Sequence, residues 1–220
     1  MALADWTTNF SGVTVSLEIT TPLVGNGSLK HVVPAGSHTA NMYLTNFAKG
    51  FTKGRIRTLL RYVVRPSANA QCGSGIIFMQ SNLNPVTTAS NYYKFFLGPG
   101  TAGGSPGTQY WQLTKHTSRT LVQTPSNILV ETSSETAANN DYWPIQIEWI
   151  VDLAGLGGTR LTASKGTKNS TDFNTLATIY DHLDTSTPHT TSVGEGLFTV
   201  AYGTGVFTTI FDETSIYELA

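Results

Sequence analysis

The chain has 220 residues, of which 40% are hydrophobic, and its 13 basic and 14 acidic residues give a net charge of −1. Charged residues make up 12% of the chain, about half the usual share, and Thr, Ser, Asn and Gly take their place. This balance excludes a global field that recruits nucleic acid or an anionic membrane, and no run approaches the ~18 apolar residues of a membrane span.

The start of the chain and its cysteine content bear on the compartment. Residues 1–12 lack the basic start and the apolar segment of a secretory signal peptide. Cys72 is the single cysteine, so an internal disulfide is impossible and no oxidising compartment is required. We therefore expect folding in the cytosol.

Short apolar or alternating runs bounded by Gly, Pro, Asn and Ser recur along the whole chain, which is typical of an all-β protein. In chain order, the predicted strands are residues 13–19, 29–33, 40–47, 55–65, 75–80, 92–97, 110–115, 119–123, 128–131, 144–152, 158–163, 176–181, 195–201 and 206–218. Because so many strands exceed what one open sheet holds comfortably, we predict a two-sheet antiparallel jelly-roll sandwich that forms a single domain over residues 1–220.

Alternation within the predicted strands indicates which side chains meet the core. In residues 92–97, one face carries Tyr93, Phe95 and Leu97, and the opposite face carries Tyr92, Lys94 and Phe96. In residues 145–152, Ile145, Ile147, Trp149 and Val151 share a face. We expect Trp149 and Trp111 to anchor the core.

The predicted loops include residues 66–75, which are rich in glycine and contain Cys72, and residues 98–109. The five histidines show no metal-ligand spacing, so we expect them on the surface or in loops. No phosphate-binding glycine motif and no serine-nucleophile motif is present, which leaves nucleotide chemistry and triad catalysis without support.

Several segments together resemble the concanavalin A-like lectin/glucanase family in its laminin-G-like form. They are the glycine turn at 25–30, the long strand at 54–64, the runs at 73–79, 91–97 and 110–115, the strand at 143–152 and the closing Gly-Leu-Phe…Phe-Asp pattern at 196–212. The resemblance covers nearly the whole chain and implies a jelly-roll sandwich. It does not select a function, because this fold hosts lectins, hydrolases, adhesins and capsid-decorating proteins.

Glycan-cleaving enzymes of this fold resemble one another in a tight acidic cluster on one strand. The nearest counterpart here is Glu148 with Asp152, which lie four residues apart, roughly 13 Å along an extended strand. That separation exceeds both hydrolase geometries. We therefore assign no catalytic residue and expect a protein that is not an enzyme.

Four of the six arginines, Arg55, Arg57, Arg61 and Arg65, share one face of the strand at 55–65. If this strand neighbours the strand at 144–152, Arg57 and Arg61 would meet Glu148 and Asp152 as cross-strand ion pairs. The alternative is that the arginine row grips an acidic partner surface. A nucleic-acid role is disfavoured because no aromatic platform is interleaved with the row.

Two further kinds of site remain open. Tyr110, Tyr142, Trp143 and Tyr202 lie near predicted loop edges, where they could stack on a glycan or cap the ends of the core. The resemblance also implies that a structural calcium is possible, with Asp212, Asp5 or Glu213 as ligands, or else Asp181 and Asp184. None of these sets has the ligand density of a diagnostic loop, so we assign no metal and no other cofactor.

Three functions follow as expectations. The first is a non-enzymatic virion structural protein of a tailed bacteriophage, either a capsid decoration (cement) protein or a tail component. We expect it to assemble in the host cytoplasm, to contact the major capsid protein or other virion proteins and to form a homo-oligomer. The second is a carbohydrate-binding module or lectin-like adhesin that takes a surface glycan. The third, disfavoured by the missing acidic cluster, is a glycan-cleaving enzyme.

Overall fold

A computed structural model describes residues 7–8, 14–18, 28–33, 38–47, 50–64, 71–82, 91–99, 108–117, 127–203 and 206–220. The predicted strand at 119–123 and the side chains of Asp5, Arg65 and Tyr202 lie outside this description. A 3₁₀ turn lies at Phe173–Thr175, and no helix in the described ranges is long and apolar enough to cross a membrane.

Fourteen strands lie in the described ranges. They are β1 (Thr7–Thr8), β2 (Thr14–Glu18), β3 (Ser28–Val33), β4 (His38–Phe47), β5 (Lys53–Val64), β6 (Gln71–Gln80), β7 (Tyr92–Gly98), β8 (Thr108–His116), β9 (Ile128–Thr136), β10 (Tyr142–Asp152), β11 (Gly158–Lys165), β12 (Ala177–Asp184), β13 (Gly194–Gly203) and β14 (Phe207–Glu218). The predicted all-β class is confirmed, and most predicted strands lie within three residues of the observed bounds.

The strands form two antiparallel sheets of seven. Sheet A has the order β1-β4-β13-β6-β7-β8-β9, and sheet B has the order β12-β11-β10-β5-β14-β3-β2. The last strand, β14, returns to the middle of sheet B between β5 and β3, as the closing sequence pattern predicted. The two-sheet antiparallel jelly-roll sandwich is therefore confirmed.

The core lies between the inner faces of the two sheets and is built from large aromatic side chains. Trp149 of sheet B and Phe78 of sheet A have ring centroids 5.3 Å apart, and the rings of Trp111 and Trp143 meet edge to face across the sheets at 5.9 Å. Trp149 and Trp111 are fully buried, as predicted. The position opposite Trp149 on β5 is Gly54, where an added Cβ would lie 2.2 Å from the indole ring.

The inner face of sheet A is set by alternation along β7 and β8. Phe95 and Leu97 of β7 and Trp111 and Leu113 of β8 belong to the main core. The alternate residues of these strands therefore point outward, and we call this side the outer face of sheet A. β7 is nevertheless buried along both of its faces, which is unusual for a sheet with one solvated side.

Candidate ligand site on the outer face of sheet A

The predicted charge row lies on the outer face of sheet B, where β5 and β10 are neighbours. The register, however, places Arg55 opposite Glu148, and Arg55 Nε donates to Glu148 Oε1 at 2.7 Å. Because the strands are antiparallel, Arg61 lies opposite Tyr142, at the far end from Asp152. The predicted pairing of Arg57 and Arg61 with Glu148 and Asp152 is therefore wrong.

The remaining members of the row have partners of their own. Arg57 Nε donates to Ser215 Oγ at 3.1 Å, and its guanidinium lies over the Phe173 ring at 4.8 Å. Arg61 donates to the side-chain oxygen of Asn140. Asp152 Oδ1 accepts from the backbone N–H of Gly155 at 2.7 Å, which holds the turn after β10. Glu148 and Asp152 thus serve different local structures and do not form an acid pair.

The four aromatic candidates for stacking separate into different environments. Trp143 is completely buried in the core between Tyr62 and Trp111, so it has no face to offer a glycan. Tyr142 is half-buried on sheet B, and Tyr110 is half-buried on the outer face of sheet A. The interpretation of Trp143 as a glycan-stacking residue is therefore wrong, and the alternative, a side chain that packs in the core, agrees with the structure.

The acidic residues considered for metal are engaged with protein groups. Asp212 is buried, and its Oδ1 accepts from the backbone N–H of Glu213. Asp181 pairs with Arg160, and Asp184 pairs with Lys115 at 2.7 Å. In the part of the chain that the structure describes, no group of three or more His, Cys, Asp or Glu residues is arranged to hold a metal ion.

The expectation that the histidines lie on the surface or in loops is wrong for His31 and His116, which are buried in β3 and β8. His189 lies in a loop, as expected, although it is buried there. Burial lowers the pKa of His31 to about 3. Cys72 is also buried, inside β6 rather than in a loop. These polar groups are tolerated because they are hydrogen-bonded, as in the contact of 3.0 Å between His31 Nδ1 and Thr199 Oγ1 across the sandwich.

The outer face of sheet A carries a second, smaller apolar cluster built from Ile77, Tyr92, Phe96 and Phe198. Phe96 and Phe198 lie on either side of Gly75 in the register, and their rings meet edge to face at 5.4 Å. At Gly75 an added Cβ would lie 2.6 Å from Phe96 Cα, so the glycine leaves the room that this ring contact needs.

Lys94 points into this cluster. It lies between Ile77 of β6 and Thr114 of β8 in the register, and only 1% of its surface is exposed. Its Nζ lies 5.1 Å from the centroid of the Phe96 ring and 5.2 Å from that of Phe198. Among the described residues no carboxylate pairs with it, and its ammonium lies against two aromatic faces.

Polar side chains surround the lysine on the same face. The rings of Tyr92 and His116 stack at 4.7 Å, and His116 Nε2 lies 3.1 Å from Thr114 Oγ1. Further along β8, Gln112 Nε2 donates to the carbonyl of Pro99 at 2.9 Å and to the carboxylate of Glu131. The face therefore combines aromatic rings with several hydrogen-bonding groups, as ligand sites do.

Burial changes the protonation of the two ionisable groups on β7. It lowers the pKa of Lys94 from an ordinary 10.5 to about 7, because an apolar environment disfavours the charged ammonium. It raises the pKa of the Tyr92 hydroxyl above its usual range for the corresponding reason. Tyr92 therefore stays neutral, whereas Lys94 exchanges its proton near neutral pH.

A second strongly perturbed group, Glu195, lies elsewhere and is already satisfied. Burial raises its pKa to about 8, and its carboxyl group accepts from the backbone N–H groups of Met79 and Phe51 and from Ser192 Oγ. These bonds tie three chain segments together. Glu195 therefore has a structural role. Lys94, by contrast, is a buried ionisable group that pairs with no carboxylate among the described residues.

The sequence contained part of the signal for this site. Alternation separated Tyr92, Lys94 and Phe96 from the core-facing side of β7. It did not show that the outward side is also buried, and the glycines at 73 and 75 led to a predicted loop where β6 runs. The available indication was Lys94, which lies between Tyr92 and Phe96 on one face of β7 and next to the glycine-rich strand β6.

Comparison with solved structures shows the fold. The exoplasmic/lumenal domain of VIP36, in its Ca2+/Man3GlcNAc-bound form, matches with a TM-score of 0.63 at 8% identity, over 100% of this chain and 86% of that chain. Carbohydrate-binding module CBM66 from Bacillus subtilis matches with a TM-score of 0.52 at 10% identity, over 97% and 96%.

A third solved structure, endo-beta-1,4-glucuronan lyase from the fungus Trichoderma reesei, matches with a TM-score of 0.55 at 15% identity, over 97% of this chain and 90% of that chain. No protein-family model matches the chain, and no curated protein sequence does either. The chain therefore has the concanavalin A-like sandwich fold, as the sequence resemblance implied.

Proposed function

We propose that this chain binds carbohydrate through the outer face of sheet A, around Tyr92, Lys94 and His116. The observation that carries the proposal is the set of buried polar side chains on that face, interleaved with aromatic rings. A sheet face that only meets solvent has no need of buried Lys94, Gln112, Thr114 and His116. The fold gives independent support, because carbohydrate ligands or substrates appear in the names of all three solved structures described above.

Tyr110 provides the accessible part of the proposed site. It lies on β8 in the same outward set as Gln112 and Thr114, and it is half-buried where those two residues are fully buried. A half-buried tyrosine beside hydrogen-bonding groups suits the apolar face of a sugar. Tyr142 has similar exposure but lies on sheet B, which makes it a matched control.

The test is calorimetric titration with soluble manno-, cello-, alginate and glucuronan oligosaccharides. We expect at least one of them to bind, and we expect Tyr110→Ala to weaken that binding by about tenfold, the size of one lost aromatic contact. Tyr142→Ala should leave affinity unchanged. Equal losses in the two variants, or no binding of any oligosaccharide, would contradict the proposal.

Polysaccharide lyase activity is a second candidate, and the lowered pKa of Lys94 favours it. A base that exchanges its proton near pH 7 suits general-base catalysis. In β-elimination such a base takes the proton at C5 beside a uronate carboxylate. The C–H electrons form the C4=C5 double bond, the C4–O bond breaks, and the leaving oxygen is protonated.

Lyase activity has a direct assay, because the unsaturated uronate that it forms absorbs ultraviolet light. Incubation of the wild-type chain with glucuronan or alginate should then increase absorbance, and Lys94→Met should abolish the increase. A flat trace for the wild-type chain on both polymers would retire this candidate. Hydrolysis by Glu148 and Asp152 has no geometric support, because these carboxylates serve separate structures.

A structural role in a virion stays a prediction, as do capsid partners and homo-oligomerisation. None of the three solved structures described above is named as a virion protein, and fold alone does not distinguish a shell component from a lectin. Carbohydrate binding is preferred because a specific set of side chains supports it.

A further inference from the structure

The lysines of this chain differ in how their charges are compensated. Lys115 pairs with Asp184 at 2.7 Å, Lys165 with Glu135 at 2.5 Å and Lys168 with Asp141 at 3.4 Å. Lys94 is the most deeply buried lysine in the described ranges, and there it has no carboxylate partner. In the described ranges, the lysine with the greatest need of an anion thus has no carboxylate partner.

We infer that Lys94 is the anion-binding residue of the site, and that the ligand is an acidic glycan whose carboxylate or sulfate group pairs with the Lys94 ammonium. This inference rests on the proposed function, because it names the class of carbohydrate that the outer face of sheet A takes. A neutral glycan would leave the buried amine uncompensated. An acidic one supplies the missing charge in a setting where ion pairing is strong.

Packing alone gives a poor account of Lys94. Its methylene stem fills space beside Ile77, Phe96 and Phe198, but a methionine has the same reach and carries no charge to bury. The two ring faces at 5.1 and 5.2 Å compensate an ammonium only in part. The amine is therefore retained at a cost in stability, as residues of binding sites often are.

The polar neighbours of Lys94 on this face are Tyr92, Gln112, Thr114 and His116, which carry hydroxyl, amide and imidazole groups. Gln112 already donates to Pro99 and Glu131, and His116 Nε2 lies within hydrogen-bond distance of Thr114, so a bound sugar would replace or share these contacts. The described titratable groups on this face, besides Lys94 itself, are Tyr92, Tyr110, His116 and Glu131. Glu131 is engaged with Gln112, and Tyr92 stays neutral because burial raises its pKa.

Binding should be linked to proton uptake. The Lys94 amine has a pKa of about 7 in the free chain, and a bound anion raises it by favouring the ammonium. Affinity for an acidic glycan should therefore fall as pH rises above 7, and each binding event near that pH should take up a fraction of a proton. Since Lys94 is almost fully shielded, this face must also open before the anion can enter, so association should be slow.

The experiment titrates the full chain with four probes: alginate and glucuronan oligosaccharides, which carry carboxylates, carrageenan oligosaccharides, which carry sulfates, and neutral cello-oligosaccharides. We expect an acidic probe to bind at least about tenfold more tightly than the neutral one. Lys94→Met should lose that preference, whereas Lys53→Met, at an exposed lysine of sheet B, should keep it. The contrast between carboxylate and sulfate probes identifies the anion.

Three results would overturn the inference. If neutral and acidic probes bind equally and depend on Tyr110 but not on Lys94, the carbohydrate site stands and its acidic specificity falls. If Lys53→Met reduces the preference for acidic probes as much as Lys94→Met does, the preference comes from the general surface charge of the protein. Titration of the wild-type chain in buffers of different ionisation enthalpy needs no variant, and the absence of proton uptake near pH 7 would exclude Lys94 even if Lys94→Met failed to fold.

Discussion

On the outer face of sheet B, Arg55 and Arg57 are partly exposed and have partners, whereas on the outer face of sheet A Lys94 is buried against two aromatic rings. Arg55 and Glu148 on sheet B keep 38% and 27% of their side-chain surface exposed and pair at 2.7 Å. Arg57 lies over Phe173 and donates to Ser215. Partly exposed ion pairs such as Arg55 with Glu148 change the free energy of folding little, whereas burial of an amine without a carboxylate partner is strongly unfavourable. This contrast is the reason why we propose the ligand site on sheet A.

The largest expected effect tests whether the aromatic cluster of sheet A is a second core. Phe198→Ala should lower the free energy of unfolding by about 3–5 kcal/mol, because it removes a fully buried ring from contact with Phe96. Phe173→Ala, at the half-buried phenylalanine of the 3₁₀ turn that packs on Arg57 of sheet B, should cost less than about 1 kcal/mol. Urea unfolding measures both variants, and similar losses would remove the contrast between the two faces.

Lys94→Met, in contrast to Phe198→Ala, should raise the free energy of unfolding. Since burial lowers the pKa of Lys94 from 10.5 to about 7, and one pKa unit corresponds to about 1.4 kcal/mol, we expect the variant to be more stable by an amount on the order of 2–5 kcal/mol at pH 7. Lys53→Met should stay within about 0.5 kcal/mol of the wild-type chain. A destabilised Lys94→Met protein would mean that the amine has a structural partner.

The same lysine predicts a pH dependence. Between pH 7 and pH 10.5 the unfolded chain keeps the Lys94 proton and the folded chain has released it, so the free energy of unfolding rises with pH by up to about 1.4 kcal/mol per unit. The advantage of Lys94→Met should therefore be full below pH 7 and fade toward pH 10.5. Urea unfolding at several pH values measures the difference, and an advantage that stayed constant across this window would place the pKa of Lys94 at its ordinary value.

Sequence patterns predicted the sandwich because each face of a strand repeats every second residue, and Trp149 and Trp111 fell on the inner side. They failed where burial depends on what covers a face. Alternation placed Lys94 and Phe96 on the side of β7 that points away from the core. Only the tertiary structure shows that this side is buried as well. Gly73 and Gly75 lowered the strand expectation for β6, although these glycines make room for Phe96.

The register between β5 and β10 was the other feature that the sequence did not predict. The sequence correctly suggested that β5 and β10 share a charged face, but Arg55 rather than Arg57 lies opposite Glu148. A shift by two residues keeps every side chain on the same face, so the hydrophobic pattern cannot select between these registers. Local turns and bulges decide it, as at Asp212–Ser215, where β14 shifts its pairing with β5.

The smallest expected effect concerns this cross-strand pair. A double-mutant cycle with Arg55→Ala and Glu148→Ala should give a coupling energy of about 0.3–1 kcal/mol, because both side chains are partly exposed to water. Raising the salt concentration should reduce the coupling, since exposed charges are screened. Glycan binding should be unchanged in both single variants, because their faces point away from sheet A. A loss of glycan binding in either variant would indicate that the binding site lies on sheet B. A coupling energy well above this range would indicate that the charge row does more than stabilise the sheet.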